Sequence, residues 1–333
     1  MKFVIAAATG ALLAGLPNPS WAETDTIRFA QQQSIGYLQF DVLKHQHTLE
    51  KKAAALGVPD LKVTWNTFSG PTAQNDALLS GSVDVVSGGV PGLLTIWART
   101  RGTAQEVRGI TALSESSSKL NCNDPEIKTL RDLKPTSRIA LPAVKVSIQA
   151  VVLQMAAANE FGADQWAKFD SQTTSLSPAD TSAGLLAGGT GFDCGFTPPP
   201  FPYLQLRSPK IHTILDSADV TGSTTASVAW TSKRFREANP KVMQALVESL
   251  IEASDFINAH REEALAYYIE DSHSPLTIAD LLKVTTEPHA SFGIVPHGIT
   301  MFGAVMAKTG SLKSAPVSWK DAFFSDIGDI AGD

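Results

Sequence analysis

From residue 26 onward, short runs of β-branched and aromatic residues alternate with stretches of helical periodicity. That alternation restricts the possible folds more than any other feature of the chain. Residues 26–30, 61–67, 83–87 and 107–113 read as strands, with helices over 36–56, 71–80 and 91–101 between them. Pro71 and Pro91 stand where a first helical turn accepts proline, and Gly57 and Gly81 stand just past helix ends. Repeated strand–helix alternation implies parallel sheets with helices on both faces. The rhythm restarts at Lys119: a helical turn over 127–133, a strand over 138–141, a helix over 147–161 and a strand over 192–196. The run Pro198, Pro199, Pro200 and Pro202 follows, then strands over 211–215 and 225–231. Beyond these the pattern is helical over 239–259 and 262–270, which reads as a tail returning to the first unit.

The first 22 residues stand apart from this rhythm. Lys2 precedes an apolar stretch from Phe3 to Leu16, and Pro17, Pro19, Ser20, Trp21 and Ala22 end it with small residues at the −3 and −1 positions. This is the pattern of a secretory signal cleaved after Ala22. The apolar stretch is shorter than the roughly 20 residues that a membrane span needs. The mature chain loses only Lys2 and keeps 26 basic against 33 acidic residues. That mild acidity, without basic clusters, argues against nucleic acid and against an anionic membrane surface. Cys122 and Cys194 remain, and in an oxidising compartment they form either one disulfide or two buried thiols.

Several segments carry a resemblance. They are 27–37 (IRFAQQQSIGY), 81–89 (GSVDVVSGG), 127–133 (IKTLRDL), 139–150 (IALPAVKVSIQA), 196–203 and 317–321 (VSWKD). Together, in this order and behind an export signal, they resemble the periplasmic substrate-binding proteins of the nitrate/sulfonate/taurine importer group, which includes binders of thiamine-pyrimidine precursors. The resemblance implies an α/β, two-lobed type II periplasmic-binding-protein fold with two hinge crossovers and a cleft between the lobes. Carried onto this chain, lobe one comprises 25–118 plus 226–333, and lobe two 119–225. It further implies a monomer in the periplasm that serves the permease and ATPase of an ABC importer, with no cofactor and no metal.

In open α/β sheets, ligands bind beyond the carboxyl ends of the strands. In lobe one that rule selects Gln31, Gln33, Ser34 and Tyr37, then Phe68, Ser69 and Gly70, then Ser87, Gly88 and Gly89, and finally Ser114. In lobe two it selects Lys145, Val146 and Ser147 at the start of a long helix, then Thr197 and Phe201, with Thr225 opening the return. Free N–H groups at the helix start and the Ser147 hydroxyl suit a small organic anion, while Tyr37, Phe68 and Phe201 suit an aromatic or heterocyclic ring. The expected function is capture of such a solute by hinge closure.

Two other functions use the same fold. An enzyme of the desulfinase or pyrimidine-synthase kind needs a nucleophile with a base beside it. No Cys stands in the first-strand loop, and His45, His47, His212, His260, His273, His289 and His297 all lie outside the selected loops. The reading is therefore of a binding protein and not an enzyme. A ligand-sensing partner of a membrane receptor is the other alternative, and fold alone does not separate it from an importer component.

Overall fold

The computed structural model describes residues 23–188 and 191–333, so the export segment lies outside the described residues. Strands β1 (Thr26–Gln31), β2 (Lys62–Thr67), β3 (Val85–Gly88) and β4 (Val107–Glu115) come first. Next are β5 (Lys119–Cys122), β6 (Ile139–Leu141), β7 (Thr173–Ser175), β8 (Cys194–Thr197) and β9 (His212–Asp216), and last β10 (Thr225–Ser232) and β11 (Ser291–Phe292). They form two sheets, one ordered β11-β4-β10-β3-β1-β2 and the other β7-β6-β8-β5-β9. The chain crosses between them at residues 116–118 and 222–224, giving two lobes with two crossovers.

The sheets are mixed rather than parallel. β1 runs parallel to β2 and β3, but β10 pairs antiparallel with both β3 and β4. In the second sheet β5 is antiparallel to β8 and β9. The reason is the crossover. A strand entering from the other lobe arrives without a covering helix, so it can run against its neighbours. β3 is nonetheless buried along its whole length, as a strand covered on both faces must be.

Helices α1 (Leu38–Gln46), α2 (Thr48–Ala55), α3 (Pro71–Leu79) and α4 (Val90–Thr100) cover the first lobe's strands. The single helix expected over 36–56 is broken: a 3₁₀ turn precedes α1, and His47 adopts φ 52° between α1 and α2. His47 N–H bonds the Leu43 carbonyl oxygen at 2.9 Å, closing α1 in the left-handed conformation that His enters more readily than most residues. Lobe two holds α5 (Ile148–Phe161), α6 (Pro178–Ala187), α7 (Phe201–Gln205) and α8 (Ala218–Thr221). The tail holds α9 (Lys233–Ala238), α10 (Pro240–Ala259), α11 (Arg261–Ser272), α12 (Ile278–Thr285) and α13 (Ile299–Lys308). It packs on lobe one through α10, which lies against α1 and α2.

Trp97 and Trp230 are fully buried, and their indole N–H groups reach the Asp321 carbonyl at 2.8 Å and Asn75 Oδ1 at 3.1 Å. Buried indoles usually find such partners. Asp84, in the 81–89 segment, holds Arg28 of β1 with two 2.8 Å bonds and accepts its backbone N–H at 2.9 Å. This motif therefore joins strands at the sheet's far end from the cleft. In lobe two, Cys122 and Cys194 stand opposite each other on β5 and β8, with Cα atoms 4.1 Å apart, and are joined by a disulfide.

Candidate functional site

Between the lobes lies a crevice of about 30 Å³, lined by Gln32, Gln33, Ser34, Tyr37, Gly89, Ser116, Ser118, Pro142, Ser147, Gln149, Pro198 and Ser227, with Pro71, Ile148 and Ala226. Five serines, three glutamines and one tyrosine converge there, with no charged side chain. Four chain features bring them together. The β1–α1 loop supplies residues 32–37, the first crossover supplies Ser116 and Ser118, the start of β10 after the second supplies Ser227, and the start of α5 supplies Ser147 and Gln149.

The lobes are closed on each other at this point. Ile35 N–H and the Ser34 hydroxyl both donate to the Pro199 carbonyl of lobe two, at 3.2 and 2.9 Å. A Cβ on Gly70 would stand 2.5 Å from the Pro142 carbonyl oxygen, and one on Gly89 would stand 3.1 Å from Ile148 Cβ. At Gly70 the backbones leave no room for a side chain, and at Gly89 one would need Ile148 to shift by a few tenths of an ångström. Outside the crevice, Arg207 of lobe two reaches Asp280 at 2.6 Å and the Pro275 carbonyl at 3.3 Å. Lys119 lies 2.6 Å from Asp216 and 3.6 Å from Glu287.

Of the residues selected from the sequence, Gln33, Ser34, Tyr37, Gly89 and Ser147 line the crevice. Gln31 and Phe201 line a larger cavity beside it, which Gln33, Ser34 and Tyr37 also border. The others border neither cavity. Ser87 bonds the Ala30 carbonyl at 3.3 Å, Ser114 the Gly36 carbonyl at 2.9 Å, and Thr197 accepts from Gln205 at 3.1 Å. Thr225 accepts the His297 N–H at 2.8 Å. These hydroxyls knit strands and loops together. Gly88 is buried against Trp230, Gly70 touches Pro142, Phe68 and Val146 are half-buried, and Ser69 is exposed. Lys145 is exposed and holds φ 65°.

Ser147 sits at the crevice as the N-cap of α5, but its hydroxyl is already engaged. It donates to the Ala143 carbonyl at 2.8 Å and accepts from Ala150 N–H at 3.3 Å. The first backbone N–H groups of α5, by contrast, have no intrahelical partner. The Tyr37 phenol is pushed above its ordinary pKa by burial, so it is neutral at physiological pH. Gln149 donates to Ser118 at 2.9 Å, which fixes both side chains at the crevice wall. Gln32, Ser116, Ser118, Gln149 and Ser227 escaped the sequence reading. Three of them lie on or beside the crossovers, whose convergence depends on the pairing of β4 with β10. Gln149 carried a visible signal, being two residues past the cap of a helix already selected.

This architecture defines a periplasmic-binding-protein fold of the two-crossover type, with a polar crevice between the lobes. The chain belongs to the NMT1-like family, whose sequence profile matches residues 22–269. No curated protein sequence matches it at a significant level. Among solved structures, the alkanesulfonate-binding protein SsuA from Xanthomonas axonopodis pv. citri, bound to MOPS, is 19% identical with a TM-score of 0.68, over 89% of this chain and 96% of that one. The periplasmic aliphatic sulphonate-binding protein SsuA from Escherichia coli is 20% identical with a TM-score of 0.64, over 91% and 99%. The periplasmic nitrate-binding protein NrtA from Synechocystis PCC 6803 is 15% identical with a TM-score of 0.61, over 78% and 69%.

Proposed function

We propose that this protein is the extracytoplasmic solute-binding component of an ABC importer, and that it captures a small organic oxoanion between its lobes. The observation that carries this reading is the crevice: hydroxyl and amide donors from both lobes converge on the free N–H end of α5, with no fixed positive side chain. Neutral donors and a helix terminus hold an anion without a counter-charge. The sulfonate and nitrate binding named for similar structures supports the same ligand chemistry. The crevice lining contains no Cys, His, Asp or Glu, which supports binding without catalysis. The export pattern at residues 1–22 supports a periplasmic location, with solute delivered to a membrane permease and its ATPase.

Calorimetric titration with ethanesulfonate, nitrate and the neutral analogue ethanol tests the ligand class. The expected result is oxoanion binding that raises the melting temperature by mass action and depends little on salt, because no surface charge carries it. Binding of uncharged ring compounds alone would redirect the site to a heterocycle.

A further inference from the structure

Beside the crevice lies a cavity of about 350 Å³, walled by both lobes. That size is within the range of small-molecule sites, whereas the crevice holds little more than a head group. One end is apolar, formed by Phe201 and Leu204 of lobe two with Leu276 of the tail. The other end is built from one face of α1 and the last turn of α11. There Lys44 Nζ stands 2.9 Å from Asp41 Oδ1 and 3.0 Å from Asp271 Oδ2. His45 Nε2 is 3.0 Å from Asp271 Oδ1, and buried Tyr268 closes the wall. The Gln31 side-chain oxygen is buried at the cavity's edge and has no hydrogen-bond partner.

The charge inventory at this end is uneven. Asp41 and Asp271 face one lysine, whose ammonium is held by both carboxyls and also lies over the Trp65 ring at 5.2 Å. An anion arriving there would meet two carboxyls and a lysine already engaged. Burial pushes the Asp41 carboxyl up to about 7, against the pull of Lys44 and with Asp271 adding to the rise. Near neutral pH the Asp41 proton leaves Asp271 balanced by Lys44, and a cation that displaces that proton gains a second carboxylate to pair with. His45 and His273 are the other titratable groups at this end.

We propose that this cavity is a second ligand site, taking a small organic cation: an ammonium group against Asp41 and Asp271, with an apolar or aromatic body against Phe201 and Leu204. A ligand there touches both lobes and so favours the closed form. The proposal does not depend on the oxoanion reading of the crevice.

Titration of the protein with benzylamine and with benzyl alcohol, which share a shape and differ in charge, tests it. Benzylamine should bind about tenfold more tightly, the effect of a charge-assisted bond. At about pH 7 its binding should release protons from Asp41, seen as a heat that varies with the buffer's ionisation enthalpy. Asp41→Asn should abolish the proton release, and Asp271→Asn and Phe201→Ala should each weaken benzylamine about tenfold while circular dichroism stays unchanged. Equal binding of the two compounds, no binding of either, or full benzylamine affinity in folded Asp271→Asn would overturn the proposal. Failure of ethanesulfonate and nitrate to bind, with benzylamine binding intact, would count against the oxoanion reading alone.

Discussion

The Ser34 hydroxyl of lobe one donates to the Pro199 carbonyl of lobe two at 2.9 Å, directly at the rim of the crevice between the lobes. The same hydroxyl accepts Gly36 N–H at 3.0 Å, so one side chain both shapes the β1–α1 loop and ties it across the cleft. Ser34→Ala should loosen the closed form and raise the dissociation constant for a captured solute several-fold, about 1 kcal/mol for one neutral bond. Scattering of the loaded variant should show a larger radius of gyration than the loaded parent.

Gly70 gives a steric test of closure. Its φ of −174° is ordinary extended backbone, so a side chain is tolerated locally, and Ser is a better helix cap than Gly. Its Cβ would still stand 2.5 Å from the Pro142 oxygen. Gly70→Ser should therefore keep or raise the melting temperature of the unliganded protein while weakening solute binding about tenfold or more. Unchanged affinity would show that the lobes need not approach this closely.

Ser147→Ala separates capping from binding. Because the hydroxyl is engaged by Ala143 and Ala150, its loss should cost about 1 kcal/mol of stability, the usual cost of a lost cap, with solute affinity changed less than about twofold. Ser227→Ala should show the opposite pattern, since Ser227 lines the crevice. Melting curves and calorimetry on both variants check the pair.

Arg207 reaches lobe one through an exposed ion pair with Asp280 and a bond to the Pro275 carbonyl. Arg207→Ala is the cleaner variant, because Asp280 also caps α12 through Thr277. The expected loss of solute affinity is small, about two- to threefold, and should vanish at high salt, as for exposed pairs generally.

Asp41 sets a pH dependence of stability. Its folded value of about 7 lies above the ordinary 3.8, so the native state binds a proton that the unfolded chain has released. Its contribution is present below about pH 4 and is lost as pH rises to about 7, so it lowers stability across that window. Asp271, held low by Lys44 and His45, works in the opposite sense at lower pH. Melting temperatures between about pH 5 and 8 should fall more steeply in the parent than in Asp41→Asn.

Much of this fold was legible in the sequence because its signals are local. The strands at 26–31, 62–67 and 225–232 show as β-branched and aromatic runs, and Pro71, Pro91 and Ser147 mark helix starts within a residue or two. What was not legible depends on long-range pairing. The direction of β10 follows from a return through lobe two, and the break at His47 reflects one residue's entry into a left-handed conformation within an otherwise helical pattern. The loop rule selected Ser87, Ser114, Thr197 and Thr225 by position, but a hydroxyl's direction is set by its nearest partner, a carbonyl for Ser87 and Ser114 and an N–H donor for Thr197 and Thr225, and each of these turned into the fold. Asp41 and Lys44 were invisible as site residues because they sit within a helix. Only the docking of α11 brings Asp271 to them.

The central place of β10 bears on how the molecule is made. This strand lies between β3 and β4, yet it begins at residue 225, after the whole of the second sheet has been synthesised. A chain folding in the order of its synthesis would present β3 and β4 with an empty slot between them, while residues 119–216 already contain every strand of the second sheet and both halves of its disulfide. The later lobe can therefore mature first. The lobe that begins the chain must hold two unpaired strand edges until the tail arrives, and that interval is when it is most exposed to aggregation.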